Sequence, residues 1–321
     1  MKIPGLIVTL LLSYSLAFAQ KIEIIDHTNS KLTDDDLWGI AVDHDGNKWM
    51  HSLKGGLIKY DGQKFTSYND SNSPITNPKG QIIYSDKKGD IWVIFSQNSI
   101  TKFDGNKWIS YAPEKSLITD KSIATVCEGN NGEMFFGTSD GIIVYNNSKW
   151  SRFEMPGDSI YKYNVLAIAI SRDNQLAVGC DNSLLLYNGK KWGKLTEENS
   201  ELQLGTVRAL KFMENGDLYI GYGGGFGKGG FSILKDNHWK HYDKNNSALA
   251  DQMVRKIVTS SNGNVIWMAT NDGLLQINNG KFEFMKFRTG RFHNTIMGLG
   301  VENDKTIWVA TTMGLIKVTN E

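Results

Sequence analysis

The sequence predicts an all-β chain folded as a seven-bladed β-propeller, on three observations. Two aromatic ladders run along the chain with one period, turn dipeptides punctuate the segments between them, and the strand missing from one end is found at the other. The first ladder holds Trp49, Trp92, Phe135, Ala177, Tyr219, Trp267 and Trp308, at spacings of 43, 43, 42, 42, 48 and 41. The second holds Phe65, Trp108, Trp150, Trp192, Trp239 and Phe282, at 43, 42, 42, 47 and 43. Such a period, filled by four short alternating strands, is that of a propeller blade. The laddered aromatics are read as packing between blades.

Residues 1–19 read as a secretory signal. Lys2 supplies the positive charge, Ile3 to Phe18 the apolar stretch, and Ala17-Phe18-Ala19 the cleavage site. The mature chain is expected to begin at Gln20, in the periplasm or outside the cell. The stretch is short for a membrane span and no cysteine follows it, so neither membrane insertion nor a lipid anchor is expected. From Gln20 onward the repeats leave room for a single domain, residues 20–321.

Blade 1 reads from Ile40 to Tyr68 and blade 2 from Ile82 to Tyr111. Asp61-Gly62, Asp104-Gly105, Asn188-Gly189 and Asn279-Gly280 mark tight hairpins, since such pairs suit the turns that join twisted antiparallel strands. Blade 7 has three strands, around Gly298–Val301, Ile307–Ala310 and Gly314–Val318, before the sequence ends. Residues 21–30 align without a gap to residues 64–73, sharing Lys and the final Asn-Ser. That alignment predicts that the N-terminal strand completes blade 7 and closes the ring.

Lysine and arginine number 35 against 34 acids, so no net field draws the chain to nucleic acid. Cys127 and Cys180, the only cysteines, fall at opposite ends of neighbouring blades. A bridge needs Cα atoms within about 7 Å, so two free thiols are expected.

Gly89-Asp90-Ile91-Trp92-Val93, Gly132-Glu133-Met134-Phe135-Phe136-Gly137-Thr138, and the Asp140-Gly141-Ile142 and Asn271-Asp272-Gly273-Leu274 steps resemble two-component-regulator propeller repeats. The resemblance covers nearly all of residues 20–321. Blade 4 departs from it at Asn174 and Ala177, and blade 5 carries an insertion. The resemblance implies a periplasmic sensor-type module of the Bacteroidetes kind, many of which are thought to sense glycans. Spanning helix, kinase and receiver segments are not recognised in the sequence, so it implies a ligand- or protein-binding propeller standing alone.

In this topology the loops between strands two and three and those between blades share one face, which is therefore the default ligand face. Of six arginines, Arg208, Arg255, Arg288 and Arg291 are placed to approach it. Arg288 and Arg291 lie in the Lys286–Asn294 connection into blade 7, beside Phe292 and His293, and Lys228 lies in the blade 5 insertion. Planar guanidinium forks suit carboxylates and sulfates, so an acidic oligosaccharide over blades 5 to 7 is one expectation. The Gly221–Gly230 loop lacks the Gly-Lys-Ser/Thr ending of a phosphate cradle; it reads as a long loop with Phe226 at its tip, able to act as a lid.

Two other readings stand beside it. A protein-interaction scaffold would use exposed Tyr161, Tyr163 and Phe226. A polysaccharide lyase or glycosidase would use His293 or Tyr163 as base with Arg255 and Arg291 on the substrate carboxylate. No zinc-protease or nucleophile-elbow motif occurs among the six histidines and the serines, so binding rather than catalysis is expected. No cofactor or metal is expected either: Asp43-His44-Asp45-Gly46-Asn47, with its alternating oxygens, reads as a hairpin turn.

Overall fold

Each segment alternates apolar and polar residues with period two, so each forms a strand with a face for either neighbouring blade. The computed structural model describes residues 20–75, 80–95, 99–111, 117, 122–155, 163–203, 205–223, 229–243, 245–249, 253–289 and 294–320. Their strands, numbered β1–β28 in chain order, form seven four-stranded antiparallel sheets set in a ring, the seven-bladed propeller expected. Six sheets run in chain order, while the seventh has the order β1–β28–β27–β26.

That seventh sheet is the closure. β1 (Gln20–Ile25) lies antiparallel to β28 (Gly314–Asn320), in register from Gln20 opposite Asn320 to Ile25 opposite Leu315. The edge of β28, which would otherwise offer its amides to another chain, is thereby paired. Ile25 joins a core of Leu37, Ile40, Met50, Trp308 and Leu315 that spans blades 7 and 1. Across the same seam the buried Lys48 ammonium donates to the Gly46 carbonyl, at 2.7 Å, and lies 4.6 Å from the centre of the Trp308 ring. Arg288 donates to Asp26, at the end of β1, at 2.7 Å and to the Met313 carbonyl at 3.1 Å. Asp26 also accepts from Thr28, and the Thr28 hydroxyl followed by Arg288 holds its carboxyl down at about 2 from an ordinary 3.8. Gly298 is needed at this seam, because a side chain there would meet the Ile40 amide at 2.8 Å.

The first aromatic ladder packs between blades, as read from the sequence. Trp92 stacks on Tyr111 at 5.7 Å within blade 2 and meets Phe136 and Tyr145 of blade 3 edge-on. The indole N–H groups of Trp49, Trp92 and Trp308 each donate to a carboxylate six residues upstream: Asp43, Asp86 and Glu302. Asp43 also accepts from the Asp45 and Asn47 amides. Its carboxylate therefore caps its own turn and anchors its own tryptophan, which explains the turn without a metal. Asn174, where the repeat has glycine, adopts φ of +60°, the left-handed conformation that asparagine tolerates. Cys127 and Cys180 are free, and burial pushes their thiols up to about 11 and about 12.

The shared Asn-Ser of the aligned segments is a hinge built four times. Asn29, Asn72, Asn199 and Asn246 each accept from the amide three residues back and donate to the carbonyl five residues back. The serine that follows donates to a carbonyl four residues back. Two residues on, Leu32, Ile75, Leu202 or Leu249 is buried. The turn thus swings the chain from the outer strand inward and plugs it into the core.

Two outcomes follow from the closure. Ile25→Ala is expected to cost about 2–4 kcal/mol in chemical denaturation, and a chain beginning at Asp26 is expected to lose its single cooperative transition. For Asp26, a carboxylate with a lowered folded value stabilises above its unfolded value and ceases to do so as pH falls through the folded one. The melting-temperature gap between wild type and Asp26→Asn is therefore expected to be constant above about pH 5 and to close between about pH 4 and 2.

Candidate functional site

The innermost strands are β2 (Leu37–Val42), β6 (Gly80–Ser85), β10 (Ile123–Glu128), β14 (Ala167–Ile170), β18 (Val207–Phe212), β22 (Lys256–Thr259) and β26 (Ile296–Val301). They surround a central channel of about 390 Å³. Each begins on the loop face, where the connection from the previous blade arrives. In blades 1, 2, 3, 5 and 7 the pairing of the first strand with the second skips one residue near its start. Such a bulge re-aims the side chain of the extra residue. Trp38, Ala124, Arg208 and Met297 are extra residues of this kind, and all line the channel. Leu166 and Arg255 take the same position in blades 4 and 6, where their amides donate to Gly179 and Ala269 at 2.8 Å.

The described part of the mouth is therefore a ring of side chains from six blades, and it is uneven. Arg208 and Arg255 stand together on adjacent blades, followed by Met297 and Trp38. Arg255 Nε donates to Asn271 Oδ1 at 2.8 Å. Burial, and secondly the charge of Arg208, lowers the pKa of Arg255. Among the described residues neither arginine meets a carboxylate. Trp38 is 40% exposed, with its indole N–H held by Asp36 at 2.9 Å. It is the only one of nine tryptophans that belongs to neither ladder.

Deeper in the channel lie Lys256 and Lys211. Lys256 is reached by solvent yet enclosed by the channel wall, and that desolvation lowers its ammonium to about 8. Lys211 lies at the far end, where it also borders a polar cavity of about 740 Å³ on the opposite face. That cavity is lined by Asn130, Asn215, Asn262 and Asn264 and by two acids, Glu214 and Asp217, which pair with Arg172 and Lys235. The face of tight turns thus also holds a cavity. Neither lysine stands out in the sequence, where each is one polar residue of an alternating strand.

The other residues expected at the site are dispersed. Arg288 is committed to Asp26 and Met313 at the ring closure. Tyr163 packs on the apolar cluster between blades 3 and 4, under Lys194 at 5.7 Å, and does not line the channel. Phe226, Lys228, Arg291 and His293, with Tyr161, lie outside the described residues. The fold thus brings together Arg208 and Arg255 and adds Trp38, Lys256 and Lys211 to them.

No family model and no curated relative matches the chain. Among solved structures it is similar to virginiamycin B lyase from Staphylococcus aureus, with a TM-score of 0.75 and 15% identity over 94% of this chain and 100% of that one. It is equally similar, at 0.75 and 15%, to the extracellular domain of the hybrid two component system BT3049 from B. thetaiotaomicron, over 92% of this chain and 40% of that one. It is also similar to PorZ, a surface component of the type-IX secretion system of Porphyromonas gingivalis, at 0.64 and 16%, over 89% and 47%. The chain spans less than half the length of the last two. At these identities what is shared is the propeller fold, which serves both a lyase and an extracellular domain of a signalling protein.

Proposed function

We propose that this chain is an exported, sensor-like binding propeller whose ligand is an acidic glycan held over the loop-face mouth of the channel. The observation that carries the reading is the arginine pair, Arg208 and Arg255, which the ring places side by side with no carboxylate to neutralise them among the described residues. Two adjacent guanidinium forks match a uronate carboxylate or a sulfate ester, and hydrogen bonds to charged groups are among the stronger ones. Trp38 adds an exposed aromatic face on the same ring, fixed by Asp36. An aromatic plate with a polar anchor suits the apolar face of a sugar ring whose acid reaches the arginines. Export rests on the signal-like residues 1–19, which lie outside the described residues. The similarity to the extracellular domain of BT3049 is in keeping with that location.

Thermal unfolding across a panel of neutral, uronic-acid and sulfated oligosaccharides tests this reading, since a ligand that binds only the folded state raises the melting temperature. Acidic members are expected to shift it and neutral ones not. Arg208→Ala with Arg255→Ala is expected to weaken binding about tenfold or more, and Trp38→Ala to weaken it without changing the preference for acids. Absorbance read in parallel detects any unsaturated uronate. Its appearance would replace binding with a lyase activity, and silence across the panel would sink the glycan reading in favour of a protein partner.

A further inference from the structure

The two most enclosed lysines elsewhere among the described residues have partners: Lys48 has Gly46 and Glu302, and Lys102 has Asp90. The channel departs from that habit. Its described lining contains four cations, Arg208, Lys211, Arg255 and Lys256, and no aspartate or glutamate. Among the described residues the side chains of Lys211 and Lys256 make neither a hydrogen bond nor an ion pair. Lys256 lies one residue inside Arg255, and Lys211 lies three residues inside Arg208, about 10 Å along the strand. The cations thus form a descending series on blades 5 and 6, from the loop face to the far end.

Neutral donors stand at the same depths. Thr125 occupies on blade 3 the strand position of Lys256 on blade 6, and Tyr84 on blade 2 that of Lys211 on blade 5. The Tyr84 hydroxyl accepts from the Glu128 amide at 3.3 Å, which leaves its own hydrogen to donate. Like charges gathered in a narrow, partly desolvated passage repel one another and are satisfied by a counter-charge with several acceptors. We propose that the interior of the channel is a binding site for a small oxyanion, inorganic sulfate or phosphate or the acid group of a sugar, held between Lys256 and Lys211. The site is separate from the glycan contact at the mouth and stands whether or not that contact exists.

The test is a titration of the purified protein with millimolar sodium sulfate at constant ionic strength, read by melting temperature and by calorimetry. Wild type is expected to show a saturable rise. Lys211→Met with Lys256→Met is expected to melt no lower than wild type without sulfate, because a repulsion is gone, and to bind sulfate about tenfold or more weakly. If the double variant fails to fold, Lys256→Met against Lys256→Arg gives the same readout, with the response kept only in the arginine form. Arg208→Ala with Arg255→Ala is expected to lose the acidic-oligosaccharide response and keep the sulfate response, so failure at the mouth and failure in the interior are distinguishable. Free galacturonate that competes with sulfate would identify the sugar acid as a source of the anion, and galacturonate that binds without competing would leave the inorganic ion. No response in wild type would overturn the proposal. So would an equal rise in the lysine variant, which marks general exclusion of sulfate from protein surface, or a response lost with the arginines and kept without the lysines.

Discussion

A ring of sheets has one problem that a stack of sheets does not: it must meet itself. Everything in this molecule depends on the pairing of β1 with β28, which puts the first described residues and the last into one sheet. The channel exists only because seven inner strands are held at a common radius, and that radius is set once the seam is shut. The seam is correspondingly dense. A glycine that tolerates no side chain, a buried lysine over an indole and an aspartate–arginine pair lie on it together.

The inner edge of each blade is the other consequence of the architecture. Six of the seven sheets put their first strand innermost, and the seventh does so with β26. An exposed row of this kind invites unwanted pairing, and here it is turned inward, onto the channel. What remains available is the residue at the loop-face start of the inner strand, which in blades 1, 2, 3, 5 and 7 is the one the pairing skips. The same strand position therefore holds a tryptophan in one blade, an alanine in another and arginines in two. Function of this sort is written in the exceptions to a repeat, while stability is written in its regularities.

That division explains what was legible. The ladders of Trp49 and Phe65, the Asp-Gly hairpins and the match of residues 21–30 to 64–73 all repeat, so period and closure could be read directly. Arg208 and Arg255 were visible because arginine is scarce and both open an inner strand. Lys211 and Lys256 were not, because lysine is common on exposed strands and, in blade 5, the skipped residue moves the alternation by one position. Trp38 carried a signal, its absence from both ladders, that only the ring geometry made meaningful. Arg288 resembled its neighbours in type and loop, but an acid at the far end of the sequence, Asp26, holds it in the seam. Such a partner is set by three-dimensional closure and leaves no local trace.

The closing strand also fixes an order of events. β1 is made first, and its partner β28 is made last. Until β28 has been produced, β1 has no edge to pair with, while the blades between them can form from contacts near in sequence. Local contacts form quickly and distant ones slowly. The pairing that closes the ring thus joins the two described strands farthest apart in sequence, and a chain interrupted before β28 leaves β1 without its partner.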